Sequence, residues 1–393
     1  MGKRPATAFP PGDAAAPLVA HLVQRLDTAG PDLIDMIAHM PPGRYRHAVL
    51  CFGGPCAAHA ALREHGIEVL DLQRHAGPRF YLGLFRALCR LRPDLVHTRQ
   101  PGCLDAQLVA ALAGVRLRVH GEGGREAATG AGRSARPFRT QLLRRALRPF
   151  VKHYIAASQE QARWLIDCAG ATPARVTQIP AGVDSLAYHP RLGPHAAVGP
   201  AGFMQNGVFV IGSAGRMDES GNHATLVEAF LRLISSPHPA HQRLRLLIAG
   251  DGPLRAACQT TLDRAGAGAR AWLPGARADT AQLMRSMDLM VLPDRANGSP
   301  AVLLEAMASG LPVVATAVGA HRELVQPVLT GILVPPLSPE VMAAAIADYC
   351  RIPEMWMRHG ARARGQVITH HSLPAMARSY LAVYDALFQN RSR

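Results

Sequence analysis

The sequence predicts an α/β protein of two domains, each a parallel sheet with helices on both faces. Three observations carry this. Short β-branched and apolar runs alternate with helical stretches from end to end, the rhythm of strand–helix–strand units. The runs fall into two sets, divided by the Pro- and Gly-rich "HPRLGPHAAVGPAGFMQNG" (His189 to Gly207), which has no periodicity. The length, 393 residues, suffices for two sizeable cores.

The expected strands of the first set are "LVAHLV", "HAVLCF", "IEVLDL", "DLVHT", "LRVHG", "YIAAS" and "VTQIP". Those of the second are "VFVIGSAG", "LRLLIAG", "AWLPG", "DLMVLP", "LPVVAT" and "GILVPP". Helices are expected between them, over 31–40, 79–91, 224–234, 254–265 and 341–350. The organisation read from this is a flexible lead-in over 1–17 and a first Rossmann-like domain over 18–188. A linker over 189–207 and a second Rossmann-like domain over 208–371 follow. A last helix within 372–393 is expected to return to the first domain. Two such sheets leave a cleft with strand ends pointing into it, where ligands of these folds bind.

Composition narrows the class. Mean hydropathy near zero (+0.04) is that of an ordinary soluble protein, and no apolar run reaches the length needed to cross a bilayer. Seven cysteines without CxxC pairs predict reduced thiols in a cytosolic setting and no zinc site; "CFGGPC" is an ordinary loop spacing. The net charge of +15 is almost all arginine, because Lys3 and Lys152 are the only lysines. Part of it is gathered between Arg133 and Lys152, where Phe138, Leu142, Leu143 and Leu147 alternate with arginines. Such a basic amphipathic segment suits an anionic membrane surface. A solvated face is the plainer alternative. Nucleic acid is a third, but no recognition motif accompanies the charge, so no nucleic-acid partner is expected. The expected location is cytoplasmic, peripheral on the inner membrane face.

The chemistry-bearing stretches lie at strand ends. In "RANGSPAVLLEAMASGLPVVAT" (Arg295 to Thr316), Ser299 and Pro300 start a helix and Gly310 stops it. Glu305 falls in its second turn, with small neighbours at helical spacing that let a ligand approach. "VIGSAGRMDESGNHATLVEAF" (Val210 to Phe230) carries Gly212, Gly215 and Arg216 at a strand end, where small residues admit a ligand and arginine neutralises phosphate. "LLIAGDGPLRAAC" (Leu246 to Cys258) is strand, turn and helix. His120 ends the strand before the glycine-rich "GEGGRE" and is expected to point toward the cleft. No DxD pair is present, so a diphosphate here must be neutralised by arginine and helix N-termini, without a metal or other cofactor.

Taken in order, "LDTAGPDLIDMIAHMP", "VHGEGGRE", "VTQIPAGVD", "GRMDESGNHATLVEAF", "AGDGPLR", "WLPGAR" and "LLEAMASGLPVVATAVGAHRELV" resemble the landmarks of glycosyltransferase family 4 over about residues 18 to 388. The likeness is nearest to bacterial sugar transferases of exopolysaccharide and PEP-CTERM systems. It implies the GT-B fold, a nucleotide diphosphate sugar as donor, a glycan or lipid-linked acceptor, and retention at the anomeric carbon. By the same resemblance Gly30, in the loop after the first strand, approaches the donor diphosphate, His120 contacts the donor sugar, and Arg216 stabilises the departing phosphate. Leu273 to Gly275 lie near the base, Gly215, Gly221, Gly298 and Ser299 line the donor, and Glu305 binds the ribose as the final glutamate of the E-x7-E motif.

The chain also departs from that pattern. Gly221 stands where the family has a lysine beside the diphosphate, and Asn297 where it has the first motif glutamate. Pro300 lacks an N–H that the family offers, and Ala29-Gly30 replaces a glycine pair. Arg295, or else Arg277, is expected to replace the missing lysine. The alternative is a protein of this fold that binds nucleotide sugar, or acts as a scaffold, without turnover.

Overall fold

The computed structural model describes residues 16–54, 56–73, 77–122, 138–195, 198–205, 207–296 and 300–390. The chain forms two compact units, one of residues 1–181 with 373–393 and one of residues 182–372.

The first unit carries β1 (Leu18–Val23), β2 (Arg46–Cys51), β3 (Glu68–Asp71), β4 (Leu95–Arg99), β5 (Leu117–Gly121), β6 (His153–Ala156) and β7 (Val176–Gln178). They pair in parallel in the order β3-β2-β1-β4-β5-β6-β7. The second unit carries β8 (Phe209–Ala214), β9 (Leu244–Ala249), β10 (Ala271–Gly275), β11 (Leu289–Leu292), β12 (Val313–Thr316) and β13 (Gly331–Val334). They pair in parallel in the order β10-β9-β8-β11-β12-β13. Each of the thirteen runs expected as a strand is one. Strands such as β11 and β12 are buried on both faces, which is why they read as unbroken apolar runs.

Two expected boundaries shift. The first helix is Leu26–Ala38 and begins five residues before Pro31, so Gly30 lies inside a helix and not in a loop. A proline that looks like a helix start in the sequence is here an internal residue. Residues 189–207 are also no free linker. Phe203 is buried in the core of the second unit, with Val198 and Met204 packed against it. Arg191 holds Asp288 at 2.7 Å and His195 holds it at 2.9 Å. Packed chain without regular structure has no periodicity, so Pro and Gly content alone read as a linker.

The last helix, Leu373–Gln389, packs on the first unit. Its Tyr384 is fully buried and its hydroxyl lies 2.7 Å from His97 Nδ1 on β4. Asp385 accepts from the Tyr45 hydroxyl (2.6 Å) and the Arg44 guanidinium (2.9 Å). The 340 or so residues between these partners close a long loop, and a buried aromatic contact holds it. Tyr384→Phe leaves the buried His97 nitrogen without its partner and is expected to lower stability by about 1–3 kcal/mol. Tyr384→Ala also empties the aromatic volume and is expected to lower it by about 3–5 kcal/mol. Urea unfolding measures both, and equal losses would place the energy in the hydroxyl instead of the ring.

Candidate functional site

Strand order reverses in the second sheet between β8 and β11, and loops leave their carboxyl ends in opposite directions. That crevice is where open parallel sheets take ligands. The loop after β8 runs from Gly215 to Asn222. Asp218 Oδ1 organises it by accepting from the Ser220 N–H (3.0 Å), the Ser220 hydroxyl (2.7 Å) and the Gly221 N–H (3.0 Å). Its Oδ2 takes the Arg216 Nε–H at 2.9 Å. Partial burial works upward on the Asp218 carboxyl, but these donors outweigh it and hold the group at about 2.

This loop is tied to the one after β11. The Arg295 N–H donates to the Ser220 carbonyl at 2.8 Å, and Asn222 Nδ2 donates to the Pro293 carbonyl at 3.1 Å. Asn222 is in the left-handed region (φ 49°) and starts the helix His223–Ile234 without a side-chain cap. The first-turn amides of a helix of this length face the crevice with the positive end of its dipole. Arg216 is exposed beside them.

Gly221 has a reason the sequence does not show. A Cβ there would stand 2.1 Å from the Arg216 carbonyl oxygen, so no side chain fits this loop conformation. A lysine side chain is excluded by backbone, and Arg295, whose N–H docks on the adjoining Ser220, is exposed. Arg277, the other substitute expected, is engaged by Asp279 through two hydrogen bonds of 2.8 and 2.7 Å.

Three titratable groups missed by the sequence reading lie here. His223 is buried under the loop, and neither ring nitrogen has a partner. Burial lowers it to about 4. His321 is fully buried, donates from Nδ1 to the Thr316 carbonyl (3.0 Å) and turns Nε2 toward Asp294 Oδ2 at 3.6 Å. Burial lowers it, too, to about 4. Asp294, at the end of β11, is pushed up to about 7 by burial, helped by the charge of Asp218. A carboxyl that titrates near neutrality in a crevice is a mark of a working site. The signal in the sequence was an acid directly after a strand, "VLPD".

The remaining expected residues divide. Leu273 turns its side chain into the core, while its carbonyl accepts from Arg255 Nε and Nη2 at 3.2 and 2.8 Å. Gly275 (φ +83°) gives its carbonyl to the Gly250 N–H. The Leu273–Gly275 backbone thus edges the same end of the sheet. Glu305 is half-buried in the helix Pro300–Ala308, and Gly310 (φ +71°) follows as the stop. Asn297, Gly298 and Ser299 lie outside the described residues, as does the start of the basic segment, 133–137.

His120 belongs to the first unit, and its environment corrects the expectation. It is fully buried at the end of β5, where Nε2–H donates to Glu122 (3.2 Å) and Nδ1 accepts from the Thr98 hydroxyl (2.7 Å). Arg144, from the helix Phe138–Leu147, pairs with the same Glu122. Both imidazole nitrogens are taken, so the ring points into a polar interior and offers no free nitrogen to a sugar. Burial and the nearby Arg144 hold it at about 3.

Two family models match the chain: "Glycosyltransferase Family 4" over residues 15–185 and "Glycosyl transferases group 1" over residues 208–351, one for each unit. The chain joins a glycosyltransferase family 4 domain to a glycosyl transferases group 1 domain. A D-inositol 3-phosphate glycosyltransferase of Kineococcus radiotolerans is 30% identical over 259 residues, which are 61% of this chain and 58% of that protein. The lipopolysaccharide core biosynthesis mannosyltransferase LpcC of Rhizobium leguminosarum is 30% identical over 223 residues, 55% of this chain and 61% of that one. The match spans between half and two thirds of the length of these curated relatives. The crystal structure of Anabaena HepE in complex with UDP and glucose superposes with a TM-score of 0.71 at 20% identity, covering 94% of this chain and 99% of that one. The fold is that of the GT-B glycosyltransferases.

Two outcomes test this geometry. Gly221→Ala and Gly221→Lys force the loop open and are expected to cost about 1–3 kcal/mol in the second unit, read by denaturant unfolding. Unaltered stability would mean that the loop moves freely. The pH outcome follows from His223 and His321, which are lowered in the fold, so the unfolded chain binds the extra protons. From these two rings stability falls as pH drops from about 6.5 toward about 4, while Asp294, raised to about 7, works in the opposite direction over the same window. Thermal unfolding across that window should decline more steeply toward acid for the parent chain than for His223→Gln, and equal slopes would mean that this ring is not buried neutral.

Proposed function

We propose that the chain is a retaining hexosyltransferase that moves a sugar from a nucleotide diphosphate to an acceptor hydroxyl in cell-surface or exopolysaccharide synthesis. The observation that carries this reading is the cross-tied crevice at the β8–β11 reversal. An uncapped helix N-terminus, Arg216 and Arg295 meet there in a chain of a sugar-transferring family.

The roles follow from chemistry. Departure of the nucleoside diphosphate leaves negative charge on its terminal phosphate. Arg216, Arg295 and the first amides of the helix His223–Ile234 would neutralise it, without a metal at that phosphate. Glu305 would accept hydrogen bonds from the ribose hydroxyls, and the Leu273–Gly275 backbone would lie along the base. Asp294, half protonated near neutrality, would donate to a donor oxygen or take up the acceptor proton. No side chain need form a covalent bond; the work is to position both substrates and exclude water. That the D-inositol 3-phosphate glycosyltransferase carries a phosphorylated acceptor in its name, and LpcC a lipopolysaccharide role, supports a glycan or lipid-linked acceptor here.

Attachment to the inner membrane face is part of the proposal. Leu142 and Leu143 are exposed on the helix Phe138–Leu147, whereas Arg144 and Leu147 turn inward. Arg145 and Arg148 are anchored to the Cys168 and Gly170 carbonyls beside that apolar pair. No helix among the described residues is long and apolar enough to cross a membrane.

A second reading has its own observation. Gly221 excludes the lysine that family members place beside the diphosphate, which suits a protein that binds nucleotide sugar and does not turn it over. One series separates the two. Thermal shift with uridine and guanosine diphosphate sugars, in EDTA, reads binding, and hydrolysis or transfer of the bound donor reads turnover. Turnover is expected, with Arg295→Ala lowering it by about 10²–10³. Binding without turnover would establish the second reading. Absence of any shift would end both.

A further inference from the structure

We propose that Cys51, His59 and Asp71 form a binding site for one zinc-class divalent cation at the edge of the first sheet. The Cys51 sulphur, a His59 ring nitrogen and an Asp71 oxygen all lie within 4.8 Å of one another. They come from three consecutive elements: the end of β2, the helix Ala57–Glu64 and the end of β3. The sequence reading took these cysteines as unremarkable, because the ligands are 8 and 12 residues apart and converge only when β2 and β3 pair.

Each group is prepared for the role. Cys51 is fully buried, its sulphur making a long contact of 3.6 Å to the Gly53 carbonyl and a further one to the Leu26 backbone. His59 is held by the Cys56 N–H on Nδ1 (3.1 Å) and meets Asp71 through Nε2 at 2.5 Å. Asp71 is the open side, with 28% of its side chain exposed. It borders a recess of about 320 Å³ lined also by Leu72, Gln73, Arg79, Phe80 and Gly83. The recess reaches the set on the Asp71 side alone, since neither Cys51 nor His59 lines it.

Thiolate, imidazole and carboxylate with one open position is a zinc set; magnesium or calcium would need oxygen ligands throughout. Metal–ligand bonds of about 2.0–2.3 Å require His59 Nε2 and Asp71 Oδ1, 2.5 Å apart, to open by roughly 1 Å, breaking their hydrogen bond, and the Cys51 sulphur to draw in toward them. The protons balance as follows. Binding releases the Cys51 thiol proton to solvent. The His59 proton leaves Nε2 for the metal's sake and is taken up at Nδ1. Nδ1 then donates to the Cys56 sulphur, 3.4 Å away, and gives up its bond from the Cys56 N–H. The ion would fasten β3, a four-residue edge strand, to β2 and the helix between them.

The test titrates the metal-free full-length chain with Co²⁺ and then Zn²⁺. A thiolate-to-cobalt absorption band saturating at one equivalent, and abolished by Zn²⁺, is expected. Cys51→Ser should abolish the band and Cys56→Ser should keep it. Asp71→Asn, a half-exposed isostere that leaves the fold in place, should weaken Co²⁺ by at least about tenfold. Circular dichroism of each variant checks that it has folded. No band, a band retained in Cys51→Ser or lost in Cys56→Ser, or Co²⁺ affinity unchanged in Asp71→Asn would each overturn the site.

Discussion

The hydrogen bond from the Arg295 N–H to the Ser220 carbonyl ties together the two walls of the β8–β11 crevice. A parallel sheet that reverses its strand order sends neighbouring loops apart, which opens a crevice but leaves both walls loose. Here one backbone bond and the Asn222–Pro293 bond beside it rejoin the walls at their tips. Both use main-chain carbonyls, so the join is indifferent to most side-chain changes. It fixes the spacing between the helix that would face a phosphate and the segment that delivers Arg295.

The same closeness sets the electrostatics. Asp218 spends its oxygens on the loop and stays ionised, and that charge reaches Asp294 across the join. Asp294 in turn faces a neutral His321, whose Nδ1 proton is committed to the Thr316 carbonyl and whose Nε2 therefore shows a lone pair. Two acceptors facing each other favour a proton between them, which agrees in direction with burial. Hydrogen bonds within the loop thus hold Asp218 low while burial pushes Asp294 up. The crevice can hold a fixed negative loop anchor and a proton-exchanging carboxyl at one pH.

Much of this was legible in the chain. The central strands could be read because a strand buried on both faces tolerates little but apolar residues, as "LMVL" and "VVAT" display. Arg216, Glu305 and Arg295 stood out as charges set against strand ends or apolar helices. What failed depended on distant packing. Pro31 signals a helix start whether or not five residues precede it in the helix. His120 sits at a strand end as expected, yet Glu122, Thr98 and Arg144 close over it, and only the fold brings those three together. His223 and His321 are two of eighteen histidines, and nothing local marks them as buried beside a crevice.

Gly221 turns the most conspicuous departure from the family into a question of backbone. Read in the sequence, a glycine for a lysine is a lost cation that a reverse substitution would restore. In the fold, the carbonyl of Arg216 occupies the volume a side chain would need, and Asp218 holds the loop in that shape through the Gly221 N–H itself. Lysine and this loop exclude each other. A cation facing this loop would come from the other wall, which is joined at Ser220, the residue next to the glycine. Arg295 is the residue whose main chain makes that join. The loop shape that denies a side chain at Gly221 is thus the same shape that the segment carrying Arg295 is tied to, so in the proposed reading the two features belong together.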